Sequence, residues 1–219
     1  MTELSPVGTV CVLKGNRMSL DADERARVQA KQGRAVFGVD MKIVGDDGRE
    51  LPWDGKTSGE LMVRGPWVVS QYMKSEGGDP LVPDAEGRGW FPTGDVATID
   101  AGGFMQITDR SKDVIKSGGE WIGSIDLENI AMAHPQVSMA ACIAVPHPKW
   151  DERPLLVVVR KPGCELTREE LLAFYEGKIA KWWTPDDVIF VDAIPLGATG
   201  KMLKNRLRES YAAHRLATA

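Results

Sequence analysis

Apolar and polar positions change rhythm near the middle of the chain. Over the first half they alternate in short runs. VFGVDMKIV (36–44) and GELMVRG (59–65) read as strands, with turn residues GDDGRELP (45–52) between them. VATIDAGGFMQIT (96–108) predicts a hairpin closed around Asp-Ala-Gly-Gly. The Gly-, Pro- and charge-rich stretch 74–89 predicts a loop, and the N-terminal MTELSPVGTVCVLKG reaches strand-like material at once. LDADERARVQAKQG (20–33) predicts a short polar helix, acidic at its start and with Gly33 as its stop. Short strands at this spacing suggest a small barrel or a curled sheet.

From about residue 109 strands and helices alternate. DVIKSGGEWIG (113–123) predicts two short strands around Gly118-Gly119. SIDLENIAMAHP (124–135) predicts a helix capped by Ser124, with Asp126 in its first turn. MAACIAVP (139–146), PLLVVVRKPG (154–163) and DDVIFVDAIP (186–195) predict strands. TREELLAFYEGKIAKWW (167–183) opens on a Thr167–Glu170 capping box and puts Leu172, Tyr175 and Ile179 on one helical face. Leu203, Leu207 and Tyr211 recur at four-residue steps in a terminal helix. The fold class is α+β, with a boundary between residues 108 and 112.

Composition adds limits rather than an answer. With 219 residues the chain is long for one minimal domain, and 43% hydrophobic with 26% charged content is ordinary for a globular protein. A net charge of −4 argues against a nucleic-acid partner. Cys11, Cys142 and Cys164 are odd in number and lack a CxxC pair, which suits free thiols in a reducing compartment. No apolar run approaches the ~20 residues of a transmembrane segment, and no leader pattern opens the sequence, so a cytoplasmic location is expected. His134, His147 and His214 lack ligand spacing.

Candidate chemistry begins with PLGATGKMLK (195–204). A phosphate-binding loop needs four residues between its glycines and a hydroxyl after the lysine. Gly197 and Gly200 have two between them, and Met202 follows Lys201, so that reading fails. Lys201 is then a surface cation at a helix start, opposed by the macrodipole, or a mobile catalytic lysine. In WFPTGDVA (90–97), Asp95 is a turn residue or a carboxylate able to accept two hydrogen bonds from a vicinal diol. ITDRSKDVIKSGGEW (107–121) gathers Arg110, Lys112 and Lys116 ahead of two glycines. It is a solvated charged turn or a set of cations for phosphates.

Four stretches in order, MTE (1–3), WFPTGD (90–95), DRSKDVIKSGGEW (109–121) and ATGKMLK (198–204), resemble the C-terminal part of the adenylate-forming enzymes, which include acyl-CoA synthetases, adenylation domains and firefly luciferase. SGGEWIGSIDLEN (117–129) and HPKWDERP (147–154) are most similar to bacterial ligases of medium-chain fatty acids and other small carboxylic acids. The resemblance implies residues 1–108 as the end of a large AMP-binding N-terminal domain, with a β-rich, barrel-like subdomain. Residues 109–219 become a mobile C-terminal α+β domain with a hinge near 110–112. It implies an ATP-dependent ligase that forms an acyl-adenylate and then a CoA thioester, with ATP, magnesium and coenzyme A as cofactors and a small carboxylic acid as substrate.

By the same resemblance Lys201 is the adenylation lysine, and Asp95, helped by Arg110, holds the ribose. Thr2 contacts phosphate and Glu3 binds the metal. Lys112 is the hinge, and Gly118, Gly119 and Glu120 line the pantetheine path. Trp150 either stacks on the CoA adenine or packs as an ordinary tryptophan. The family's Gly/Ser/Thr-rich phosphate loop and acyl-pocket domain are expected to lie outside this sequence, so these residues are not expected to adenylate an acid unaided. Residues 1–30 are expected to be poorly ordered or to pair through strand edges with another chain, which admits a homodimer. A carrier-protein-loading adenylation enzyme and a non-catalytic nucleotide- or partner-binding remnant stay open as alternatives.

Overall fold

The structure is a computed structural model describing residues 1–13, 15–75 and 77–218. The chain forms two compact units, Met1–Ser111 and Lys112–Ala219. It is mixed α+β and rich in sheet.

In the first unit a single 3₁₀ turn at Thr2–Leu4 precedes β1 (Thr9–Val10), α1 (Ala22–Gln29), β2 (Arg34–Ala35), β3 (Asp40–Val44), β4 (Gly59–Arg64), β5 (Val82–Pro83), β6 (Gly89–Ile99) and β7 (Met105–Arg110). β1 and β2 form a small antiparallel pair. β3, β4 and β6 lie side by side, and β5 and β7 pair with the two ends of the long strand β6. The expected β6–β7 hairpin is present. Its turn is closed by the Asp100 carboxylate, which accepts from the N–H groups of Gly102 and Phe104 at 2.9 and 3.1 Å. Among the described residues no strand pair joins β3 to β7, so the sheet is open rather than a closed barrel. The loop expected over 74–89 carries the two-residue strand β5.

One face of this sheet buries Ile43, Leu61, Val63, Ala97, Ile99 and Met105 as a common core. Each of these except the small Ala97 contributes about 1.5–3 kcal/mol by leaving water. The helix of residues 20–33 is shorter than predicted. It is capped by Asp21, whose carboxylate accepts from the Glu24 N–H at 2.8 Å, and it ends at Gln29. Gly33 is not its stop. At φ 94° Gly33 pairs with Met105, with an added Cβ 2.4 Å from the Val10 backbone.

The second unit contains β8 (Ile115–Ser117), β9 (Glu120–Ile122), α2 (Ser124–Met132), β10 (Val137–His147), β11 (Asp151–Arg160), α3 (Arg168–Ala173), β12 (Asp187–Phe190) and α4 (Lys204–Ser210). β10 and β11 pair antiparallel along their whole length, while β12 adds to β11 in parallel. Both faces of β10–β11 are covered. Cys142, Leu156 and Val158 pack in one core with Leu127 of α2 and Leu171 of α3. Ala141, Ile143, Leu155 and Val157 pack in another with Leu207 of α4.

The capping box of α3 forms as predicted. Thr167 Oγ1 accepts from the Glu170 N–H at 3.2 Å, and Glu170 Oε2 accepts from the Thr167 N–H at 2.8 Å. The long helix over 167–183 does not form, because α3 stops at Ala173. Tyr175 is instead buried past the helix end, its hydroxyl donating to the Leu127 carbonyl at 2.6 Å. Ser124 is not the cap of α2. Gly123 occupies that position, and the Ser124 hydroxyl receives the Lys204 ammonium at 2.6 Å.

Candidate functional site

In the first unit Asp95 and Arg110 face each other across β6 and β7. Arg110 Nη1 lies 2.8 Å from Asp95 Oδ1, with Asp95 13% and Arg110 55% exposed. The approach to Asp95 is shaped by Gly94 at φ 72°, whose carbonyl accepts from the Ser111 N–H at 3.0 Å. Thr93, buried and donating to the Leu61 carbonyl at 2.9 Å, also accepts from the Asp95 N–H at 3.2 Å. Burial pushes the Asp95 carboxyl above its ordinary value, and the Arg110 guanidinium pulls it partly back. A carboxylate held this way, with a guanidinium at one oxygen, retains lone pairs for hydroxyl donors.

Asp95 also lines a cavity of about 290 Å³, with an apolar wall that includes Leu4, Val39 and Met105. Thr2 and Glu3 lie on the 3₁₀ turn at one side of that wall, since Met1 and Leu4 line it too. The Glu3 carbonyl accepts from the Val69 N–H at 2.8 Å, and its carboxylate receives the Tyr72 hydroxyl at 3.4 Å. Burial and the Glu3 charge raise the Tyr72 pKa. Among the described residues no group of three His, Cys, Asp or Glu side chains forms a ready metal site. One carboxylate is still compatible with magnesium, which commonly takes one or two protein carboxylates and fills its shell with water and phosphate oxygens.

In the second unit Gly118, Gly119, Glu120 and Trp150 come together. Gly118 and Gly119 form the β8–β9 turn at φ 57° and 85°, and the Gly118 N–H donates to the Trp150 carbonyl at 3.0 Å. An added Cβ on Gly118 would lie 3.3 Å from the Trp150 ring, whereas Gly119 faces open space. Trp150 packs edge-on against Trp182 with centroids 4.6 Å apart, and the Lys149 ammonium lies 4.4 Å from the Trp150 ring centroid. Glu120 accepts from the Trp183 indole N–H at 3.1 Å. Sequence reading missed Trp182, Trp183 and Arg153. Arg153 is one of three successive charges, Asp151 to Arg153, and nothing local marks it as the buried one.

Lys201 lies elsewhere in the same unit, in a closed turn three residues before α4. The Gly197 N–H donates to the Lys201 carbonyl at 2.8 Å, and the Leu203 N–H to the Pro195 carbonyl at 2.9 Å. Gly200, at φ 78°, allows the tip. Lys201 is exposed, and its ammonium has no partner among the described residues. Below the turn, Lys204 is nearly buried, with its ammonium 2.6 Å from both Glu128 and Ser124. The turn therefore has a fixed base and a free cationic tip. Lys112 is exposed and is the first residue of the second unit.

Residues 1–73 match the AMP-binding enzyme family, and residues 126–201 match the AMP-binding enzyme C-terminal domain. The chain belongs to the AMP-binding enzymes. It is 55% identical over 211 residues to a 3-methylmercaptopropionyl-CoA ligase of Ruegeria lacuscaerulensis. It is 52% identical over 211 residues to a medium-chain-fatty-acid–CoA ligase of Ectopseudomonas oleovorans. Either match covers 96% of this chain and 38% of the relative, so the chain spans well under half the length of these ligases. A crystal structure of ATP-bound MatB from Rhodopseudomonas palustris superimposes with a TM-score of 0.70 at 33% identity, covering 84% of this chain and 36% of that one. No described helix of this chain is long and apolar enough to cross a membrane.

Proposed function

We propose that this chain is the ribose-binding and lysine-bearing portion of an AMP-forming carboxylic acid–CoA ligase. The observation that carries the reading is identity above 50% to two acyl-CoA ligases along 96% of the chain. The free cationic tip at Lys201 supports it. The acid is of the small to medium-chain class, in keeping with the names of the two relatives.

In this reading the Asp95 carboxylate, steadied by Arg110, accepts the two ribose hydroxyls of ATP. Lys201 bridges the substrate carboxylate and the α-phosphate while the carboxylate oxygen attacks phosphorus and pyrophosphate leaves. Negative charge accumulates on the phosphate oxygens there, where an ammonium delivered to the site lowers the barrier most. Glu3 would hold magnesium, which supplies further charge neutralisation on the phosphates, and Thr2 would contact a phosphate. The CoA thiol then attacks the acyl carbon and AMP leaves. Gly118 and Gly119 let the pantetheine chain approach the backbone, with Glu120 beside it and Trp150 available for the adenine. Rotation near Lys112 exchanges the Lys201 turn for the Gly118–Gly119 turn between the two steps.

The test is ATP–pyrophosphate exchange by the native polypeptide carrying these residues, with a panel of straight-chain carboxylic acids, followed by CoA-dependent release of AMP. Acid-dependent exchange with thioester formation is expected. Exchange without transfer to CoA would favour a carrier-loading enzyme, and binding of ATP with neither step would favour a non-catalytic remnant.

A further inference from the structure

β11 opens on three successive charges, Asp151, Glu152 and Arg153, before its apolar stretch, and Arg153 alone of the three is buried, at 5% exposure. Burying a guanidinium costs several kcal/mol unless its N–H groups find partners. Here they do. Nε donates to Asp186 Oδ1 at 2.7 Å, and Nη2 lies 2.6 Å from the same oxygen. Nη1 donates to Ser117 Oγ at 3.1 Å, and Nη2 to the Thr184 carbonyl at 3.3 Å. The guanidinium lies 4.3 Å from the Trp182 ring centroid.

These partners surround one feature. Ser117 is fully buried and immediately precedes Gly118. Trp182 packs on Trp150, and both rings would touch a Cβ at Gly118, at 3.3 and 3.4 Å. The contacts then close on themselves. Asp186 Oδ2 accepts from Thr218 Oγ1 at 2.5 Å, and the Thr218 carbonyl accepts from His147 Nε2 at 3.0 Å. His147 Nδ1 accepts from the N–H groups of Lys149 and Trp150 at 3.1 and 3.3 Å, which leaves the ring proton on Nε2. Arg153, Asp186, Thr218, His147, Trp150 and Trp182 thus form a closed circuit behind the Gly118–Gly119 turn. The Lys201 turn is anchored separately, by Lys204 on Glu128 and Ser124.

We infer that Arg153 is a positioning residue for the thiol-transfer step: through Ser117 and Trp182 it sets the Gly118–Gly119 turn and the Trp150 ring against which the pantetheine arm of CoA lies. The inference rests on the ligase reading above. Arg153 touches no substrate; it acts through the turn.

The test separates the two half-reactions in the native polypeptide. For Arg153→Met, transfer from a supplied acyl-adenylate to CoA should fall at least roughly tenfold further than ATP–pyrophosphate exchange, chiefly as a raised KM for CoA. Arg153→Lys keeps the charge on Asp186 and should recover part of the loss. Ser117→Ala removes one acceptor of the guanidinium, a smaller perturbation than removing the guanidinium itself, and should show the same split in milder form. Equal decline of exchange and transfer in both Arg153→Met and Ser117→Ala would mean a purely structural role and would overturn the assignment. So would an unchanged KM for CoA in Arg153→Met. A wild-type protein without exchange or transfer would instead sink the ligase reading, and the inference with it.

Discussion

Asp95 and Arg110 are direct cross-strand partners, and their charges meet at 2.8 Å with the carboxylate the more buried of the two. Two consequences follow for pH. Burial raises the Asp95 pKa against the pull of Arg110, so the fold binds that proton more tightly than the unfolded chain does. Stability from this group therefore declines as pH rises from its unfolded value through its raised folded value, and the cost persists at neutral pH. If Asp95 holds the ribose as proposed, nucleotide binding needs the ionised form and should weaken as pH falls through the same range. Asp95→Asn should lower AMP affinity by about 1.5–3 kcal/mol, roughly tenfold to a hundredfold, as expected for a lost charge-assisted hydrogen bond. It should leave the thermal midpoint at pH 7 unchanged or slightly higher. Titration calorimetry and thermal melts on one preparation check both.

Lys201→Ala should abolish acyl-adenylate formation by two or more orders of magnitude, the scale of losing one charge stabiliser of a transition state. Transfer to CoA from a supplied acyl-adenylate should be largely retained. The side chain is exposed and without a partner among the described residues, so the melting temperature should not move. Rapid-quench assays of each half-reaction give the answer, and equal loss of both would remove Lys201 from adenylation.

Lys112→Pro fixes φ near about −65° at the junction of the two units. Adenylation should stay within about twofold and thioester formation should fall roughly tenfold or more, as for a blocked domain rotation. Unaltered steady-state turnover would place the hinge elsewhere.

Lys204 and Glu128 are both nearly buried, and Glu128 Oε1 also accepts from the Cys142 N–H at 2.8 Å. Lys204→Met removes the lysine charge from beside that nearly buried carboxylate, at a cost of about 3–5 kcal/mol. Adding Glu128→Gln removes the charge while keeping an acceptor for Cys142. The double variant should therefore unfold at higher denaturant than the single one, which urea titration will show.

Local patterns in the sequence exposed what local forces decide. The Thr167–Glu170 box was legible because both of its hydrogen bonds span three residues. The β6–β7 hairpin was legible because its turn is closed by Asp100 within its own loop. Ser124 was misplaced because its partner, Lys204, is 80 residues away. Gly33 was misread as a helix stop because the contacts that need glycine there, Val10 and Met105, come from distant strands. The helix drawn from 167 to 183 failed for a related reason. Tyr175 suits a helical stripe, but its hydroxyl is drawn to the Leu127 carbonyl past the end of α3. At the candidate site, the motifs named Asp95, Lys201 and the two glycines. Nothing in the local order of residues announced Arg153, whose partners Ser117, Thr184 and Asp186 lie more than thirty positions away.

The central pair β10–β11 carries side chains from two cores, one on each face. A sheet buried on both sides offers no broad surface to a substrate, so within this unit recognition is left to the rim, where turns and loop ends emerge. Changes within the strands and changes in the turns should therefore be separable experimentally. On the ligase reading, the former should move the melting temperature and leave substrate preference alone, and the latter should alter which half-reaction runs, and how fast, on an unchanged scaffold.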